Sequence, residues 1–472
     1  MLARLSFLAC AVLAAPAFAQ PAAKSKDAAA ASAPDDLADF QKELDALFTA
    51  GGLTADQAAA RAANASPTVR RKIAEVEAAI AQGEQAELQR VPQLTAKLAA
   101  SKLSPVAPFS EALGTLGTFQ ISFINHLYDA QANLTVPLSD YVLRYPKLVD
   151  AAHLAEAVAK VSRRDAEVSA GEDARLAYYE WLRAQLQVLI ARRQLVNVQA
   201  TLGQFRALAE VQRLSKADLM RVESQEAEAE QTVDQLTNLS TLREEQLRLM
   251  IGAGDDEKLT LGEDVRGQVS APGQTKLDEL VTHAVEHRLD LKTLKLGIEA
   301  KDKQTEAETA NQYPKLSAFG TIEDANPNPR IFPQSDTFTF TWVLGAQISW
   351  ALGDTLNSMT NKKRLHAEAN ELRADQENLL RGTRIELLTA QQAVALAVHS
   401  LSTTQKGLEA ADESYRVRRE LLAADRATAV ELVDAQTDLT RARIAALNAR
   451  VDLRVALTQL NHALGDDAAA SK

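Results

Sequence analysis

The chain has 472 residues, with 52 Lys+Arg against 63 Asp+Glu and a net charge of −11. That balance argues against a nucleic-acid partner, because affinity for a phosphate backbone rests on clustered Lys and Arg. Aromatic residues make up only 5%, while Ala, Leu, Gln, Glu and Arg dominate long stretches, so most of the mass is expected in long helices and the few aromatics mark something else.

At the N-terminus, Arg4 precedes an apolar run from Leu5 to Pro16 that ends in Ala17, Phe18 and Ala19 before Gln20. This is the pattern of a secretory signal peptide with an A-x-A cleavage site, so residues 1–19 are read as a leader. The run is too short to span a bilayer, and no later stretch approaches the roughly 20 apolar residues a membrane helix needs. Cys10, the only cysteine, lies inside the leader behind Phe7, Leu8 and Ala9, a poor lipidation signal, so the exported chain is expected to hold no thiol. Residues 20–52 are read as a flexible N-terminal segment, with no periodicity over 20–36.

The strongest organisational signal is an internal repeat. Pro92 and Leu94 recur as Pro314 and Leu316 at an offset of 222, and the Pro137 to Asp140 segment recurs as Ala351 to Asp354 at 214. Asp218 and Leu219 recur as Glu431 and Leu432, and Gly252 recurs as Gly465, both at 213. Each half reads as helix, strand, loop, strand, very long helix, tight turn and helix. The first repeat is placed at 53–252, with a β-hairpin at 93–138 and a helical turn near 212–218. The second is placed at 276–465, with a β-hairpin at 315–352 and a turn near 425–431. A linker rich in Gly, Asp and Pro at 253–275 separates them, and 466–472 form a short tail. The long segments, Asp140 to about Arg213 and Asp354 to about Ala424, would span on the order of 100 Å as helices. In the last helix Leu432, Leu439, Ala446, Leu453 and Leu460 recur every seven residues, the spacing of helices packed side by side.

The strands carry a membrane signal. In TFTFTWVLGAQISWA, residues 337–351, Phe338, Phe340, Trp342, Leu344, Ile348 and Trp350 fall on one face and mostly small polar residues on the other. The repeat mate alternates likewise, with Tyr128, Leu134 and Val136 against Asp129, Gln131 and Asn133. Apolar-out and polar-in alternation with aromatics toward the ends is what a transmembrane barrel strand requires. A half-buried strand of a soluble sandwich would show the same period, but not beside helices of this length. Four strands per chain cannot close a barrel, and lipid tolerates no open sheet edge, so closure requires oligomerisation.

With these features in place, the chain resembles the outer membrane efflux protein family, the TolC-like ducts of efflux pumps and type I secretion systems, over nearly everything from Leu53 to Gly465. The resemblance implies a homotrimer in the outer-membrane lipid, with a 12-stranded β-barrel continued by a 12-helix periplasmic α-barrel. It also implies a periplasmic adaptor (membrane fusion protein) and an inner-membrane transporter as partners. The segment from Val430 to Gln436 matches the family's tip motif, so Glu431 and Asp434 take the places of carboxylates that constrict the periplasmic entrance. Their i, i+3 spacing puts them on one helix face. Three chains would converge six carboxylates, favouring cations and raising some of their own pKa values. A merely solvated helix face is the competing reading, which the aligned motif outweighs. Asp218 matches a carboxylate used in a latch at the adaptor contact. Ala427 and Leu422 stand where the family often has Arg and Tyr, and Gln212 and Asp425 replace tip glycines, so Arg426 or Arg213 is expected to serve in the latch.

The competing class is a periplasmic coiled-coil scaffold or adaptor with no pore, which would carry one helical hairpin rather than two. No phosphate loop, nucleophile elbow or cysteine ligand set points to an enzyme, and no cofactor is expected. His283 and His287, spaced i, i+4, lack a third ligand nearby and read as surface residues rather than a metal site.

Overall fold

The computed structural model describes residues 36–112, 118–121, 123–212, 215–267, 273, 275–424 and 426–467. The leader with Cys10, the tether through residue 35 and the tail from 468 lie outside these residues. The first half comprises α1 (Asp36–Leu47), β1 (Phe48–Leu53), α2 (Ala55–Ala65), α3 (Pro67–Leu88), β2 (Gln93–Lys102), β3 (Phe109–Ala112), β4 (Thr118–Ile121), β5 (His126–Val136), α4 (Leu138–Leu143), α5 (Tyr145–Glu210) and α6 (Lys216–Ile251). The second comprises α7 (Leu277–His287), α8 (Leu289–Thr309), β6 (Lys315–Asn326), β7 (Thr339–Ser349), α9 (Leu352–Ala423) and α10 (Ala429–Leu464). The molecule is mainly helical, and both halves share the order of two helices, a pair of long strands and a long helical hairpin, with α1, β1, β3, β4 and α4 found in the first half alone among the described residues.

Local chemistry sets the boundaries. Thr54 opens α2 with a capping box to Gln57, and Pro67 sits in the first turn of α3, where its missing N–H costs nothing. α6 and α10 end on Gly252 and Gly465, both left-handed at φ 65° and 79°, a conformation that a Cβ penalises. At 66 and 72 residues, α5 and α9 are each about 100 Å long. Helices of that length are held by packing rather than by propensity.

α5 is the spine of the helical layer. Toward the sheet the layer runs α3, α5, α8, α9, and at the opposite end it runs α6, α5, α10, α9. Its main core lies midway, where Tyr178, Trp181 and Leu182 of α5 meet Ala58 and Ala62 of α2, Leu247 and Ile251 of α6 and Val451 of α10. The heptad positions Leu432, Leu439, Ala446, Leu453 and Leu460 are all buried, so the sevenfold spacing reports a true packing seam. A polar clasp joins the repeats at this middle level. His462 near the end of α10 lies with Nε2 3.0 Å from Glu172 of α5 and with Nδ1 2.7 Å from Asp467.

The four long strands form one antiparallel sheet in the order β2-β5-β6-β7. Its register pairs Leu94 with Leu134, Tyr128 with Asn326 and Leu316 with Ile348. One face therefore carries Leu94, Leu98, Leu134, Ile322, Phe340, Trp342 and Leu344, and the other carries Asn133, Thr321, Glu323, Thr341 and Gln347. On the polar face the Phe319 ring lies across Gly345, where a Cβ would sit only 2.8 Å from it. Phe319 thus occupies the space a side chain at 345 would fill.

The structure departs from the sequence reading in several places. The segment read as flexible through residue 52 contains α1 and β1, because Leu44, Leu47 and Phe48 pack on the main core and Leu261 bridges Phe48 and Leu53. Leu261 and Val265 are buried, so the linker's first half is packed as well. The loop after β2 contains the β3–β4 hairpin. Leu138 starts a helix instead of ending β5, and β7 stops at Ser349, leaving Trp350 to donate its indole N–H to Thr355 at 3.0 Å. Among the described residues, no helix is long and apolar enough to cross a membrane.

Candidate functional site

Two regions carry the candidate site: the helical end remote from the sheet, and the sheet's aromatic face. At the helical end, Val198, Leu202 and Phe205 of α5, Val222 of α6 and Val433 of α10 form a small buried core that fixes the two hairpins against each other. Leu432, Val433, Ala435 and Gln436 are buried, whereas Glu431 and Asp434 are exposed. The i, i+3 spacing therefore turns both carboxylates away from this core on one face of α10.

Both acids have partners within the chain. Glu431 closes a capping box, accepting the Thr428 N–H at 3.0 Å while its own N–H donates to Thr428 Oγ1 at 3.3 Å. Arg418 of α9 reaches the other carboxylate oxygen at 2.9 Å. The Thr428 N–H, then Arg418, hold the Glu431 carboxyl below the ordinary glutamate range. Within one protomer this is opposite in direction to the rise expected from six converging acids. Asp434 receives Arg221 of α6 at 3.1 Å, which ties the first repeat's hairpin to the second.

Arg221 and Arg418 were missed in the sequence. A signal for Arg221 was present, since Arg221 and Asp434 stand at the same 213 offset as Asp218 and Glu431, and repeat-equivalent positions sit at one level of the helical layer. Asp218 itself serves its own helix. Its N–H donates to Ser215 Oγ at 3.1 Å and its carboxylate accepts the Ser215 hydroxyl at 2.6 Å. Among the described residues no ion pair joins Asp218 to Arg426, and the inter-hairpin tie is Arg221 to Asp434 instead. Arg213 and Asp425 lie outside the described residues.

Gln212, at the turn after α5, is the one non-glycine among the described residues with positive φ, at 57°. The Cβ of glutamine pays a steric cost there that glycine avoids. Gln212→Gly is expected to stabilise the turn by about 1 kcal/mol, read as slower hydrogen exchange in α6 near Asp218. Unchanged or faster exchange would show that the turn carries no such strain.

On the sheet, Tyr128, Leu134, Phe338, Phe340, Trp342, Leu344, Ile348 and Trp350 are all exposed, with Leu344 at 76% and Ile348 at 75%. Tyr128 and Phe338 stack with centroids 6.3 Å apart near one end of the sheet. Trp342, Leu344 and Ile348 fill the middle, and Trp350 marks the other end. A contiguous apolar surface of this extent calls for a non-aqueous neighbour. His283 and His287 stack at 4.1 Å, and His283 Nε2 lies 2.7 Å from Asp466. No group of three or more potential metal ligands occurs among the described residues.

These features set a sheet with one exposed apolar face at one end of a long helical layer and a cluster of charged pairs at the other. Residues 280–466 match the family described as outer membrane efflux protein. No curated protein matches the chain. In fold the chain is similar to CusC, with a TM-score of 0.71 and 15% identity over 89% of this chain and 93% of that one. It is similar to the open state of the MtrE outer membrane channel of Neisseria gonorrhoeae, with a TM-score of 0.70 and 16% identity over 87% and 88%. It is similar as well to the outer membrane protein VceC of Vibrio cholerae, with a TM-score of 0.68 and 16% identity over 90% and 97%. The second repeat thus matches the outer membrane efflux protein family, and the whole chain shares the fold of these outer membrane channel structures. That family's description places its members in the outer membrane.

Proposed function

We propose that three copies of this chain close into a 12-stranded barrel and a continuous 12-helix tunnel. The assembly conducts substrate passively outward from an inner-membrane transporter and a periplasmic adaptor, in a tripartite efflux pump or a type I secretion system. The observation that carries this reading is the pair of open edges. β2 and β7 end the sheet and run in opposite directions, so β7 of one copy beside β2 of the next continues the antiparallel ladder. The helical layer is open on the same two sides, with α3 and α6 on the β2 side and α9 on the β7 side. The helices at those edges carry exposed apolar residues, among them Leu242 and Leu249 of α6 and Leu356, Ile385 and Leu396 of α9.

At the tip, Glu431 and Asp434 act as the constricting carboxylates, and Asp218, Arg213, Asp425 and Arg426 lie where an adaptor hairpin docks. Arg221 and Arg418 hold the two acids in place and offset part of their charge. Native mass spectrometry in detergent should give a trimer, and planar-bilayer recording should give a small, cation-preferring conductance. In Glu431→Ala/Asp434→Ala the cation-to-anion permeability ratio should fall several-fold, consistent with about 1 kcal/mol of lost attraction for a permeating cation. A trimer whose selectivity does not move would remove the tip assignment, and a soluble monomer would remove the duct.

A further inference from the structure

The loop joining β6 to β7, residues 327–338, does not stand away from the sheet. Ala325, Asn326, Pro327 and Asn328 are buried, Asn328 to 2% exposure, whereas Thr339 and Phe340 beside them remain partly or fully exposed. Asn328 accounts for the burial. Its Nδ2 donates to the Thr339 carbonyl at 2.8 Å and to Thr341 Oγ1 at 3.3 Å, and its Oδ1 accepts the Arg330 N–H at 2.9 Å. Thr341 pairs with Glu323 on the polar face, opposite the face that carries Phe340 and Trp342. The start of the loop is therefore folded over the polar face.

Arg330 extends the attachment, its Nη1 donating to the Trp342 carbonyl at 3.0 Å. This contact is with a neutral group, so it leaves the guanidinium charge uncompensated. The far end of the loop returns to β5, where Asp336 lies 3.0 Å from His126 Nε2 and Gln334 Oε1 accepts the Ile124 N–H at 3.5 Å. The loop is thus tied down at both ends, to β7 on one side and to the start of β5 on the other. A solvated surface loop needs no buried asparagine, and burying its amide is tolerable only because three hydrogen bonds satisfy it.

We propose that this loop is an inward-folded strap that, three times over in the closed barrel, narrows the outer mouth and lines it with Arg330, forming a second filter of size and charge remote from the tip. The inference rests on the barrel reading above.

Accessibility of a single thiol from outside the cell tests it without dependence on the tip. Gln347 lies on the polar face opposite Ser317, at the end of β7 away from the strap, and is exposed. Cys10 is the only native cysteine, so Gln347→Cys supplies one thiol inside the barrel. A small methanethiosulfonate added to intact cells should label it quickly, and a maleimide bearing a long polyethylene glycol tail should label it slowly. Adding Asn328→Ala removes both side-chain hydrogen bonds that hold the strap to β7 and should accelerate the bulky reagent by at least about tenfold. Thr341→Val removes the anchor from the strand side and should act in the same direction, which keeps the test valid if Asn328→Ala fails to fold. Arg330→Glu should reverse a preference for anionic over cationic small reagents. Equal rates for the bulky reagent with and without the anchors overturn the strap, and an unchanged charge preference overturns the role of Arg330. If even the small reagent fails to reach Gln347→Cys, the duct reading falls and the strap with it.

Discussion

A Leu344→Arg chain should be exported but not retained in the outer membrane. Leu344 lies at the middle of β7, is 76% exposed and belongs to the aromatic face. An arginine at the bilayer midplane of a barrel costs roughly 2 to 4 kcal/mol, so three copies in one closed barrel would cost roughly 6 to 12 kcal/mol. That is comparable to the whole margin, roughly 5 to 15 kcal/mol, on which a folded domain persists. Gln347→Arg is the matched control, since three residues along the same strand the side chain lies on the polar face. The measurement is the fraction of each variant recovered from purified outer membranes after an alkaline wash. Loss of Leu344→Arg with retention of Gln347→Arg is the expected pattern. The reverse pattern would mean that the polar face meets lipid, and equal retention would mean that neither face does.

The contrast between these two residues also shows why the sheet was readable in the sequence. Side chains alternate with period two, so the face that meets a different solvent is written directly into TFTFTWVLGAQISWA. The seam of α10 was legible for the same reason, its five heptad positions being buried in turn. The repeat supplied the rest of the plan, because two copies of a weak pattern at a fixed offset constrain each other. Contacts between distant segments leave no such trace. Arg418 meets Glu431 and Arg221 meets Asp434 across separate helices, and neither pair has a local signature. Only the 213 offset pointed to Arg221. α1 is hard to read because Leu44 and Leu47, which pack on the main core, stand just after an alanine-rich stretch with no periodicity. The loop after β6 reads as proline-rich surface; that Asn328 is buried depends on where Thr341 lies in three dimensions. The tip motif gave the positions of Glu431 and Asp434 but not the direction in which Thr428 and Arg418 move the Glu431 carboxyl.

The clasp between the repeats sets a second large effect, one of pH. Burial alone would lower the His462 pKa, but hydrogen bonds from the ring to Asp467 and Glu172 overcome it and hold the imidazolium up at about 10, against an ordinary 6.5. Asp165, Asp173, Asp290 and Arg288 complete the surroundings, with Asp165 and Asp173 pushed up chiefly by burial and Asp290 held down by Arg288 against its own burial. The folded-state pKa of His462 lies above the unfolded one, so its contribution is fully present below about 6.5 and is lost as pH rises through about 10. Discounted for the solvent that still reaches the ring, the loss across this window is roughly 2 to 3 kcal/mol. Denaturant midpoints of the detergent-solubilised protein between pH 6.5 and 10 should therefore decline in the native chain. His462→Gln should begin lower and follow a flatter line, because a neutral amide has no proton to lose and leaves Glu172 and Asp467 facing each other without a cation. Parallel slopes for the two chains would assign the pH dependence to other groups. A His462→Gln chain as stable as the native one at pH 6.5 would show that the clasp contributes nothing to holding the C-terminal end of α10 against α5.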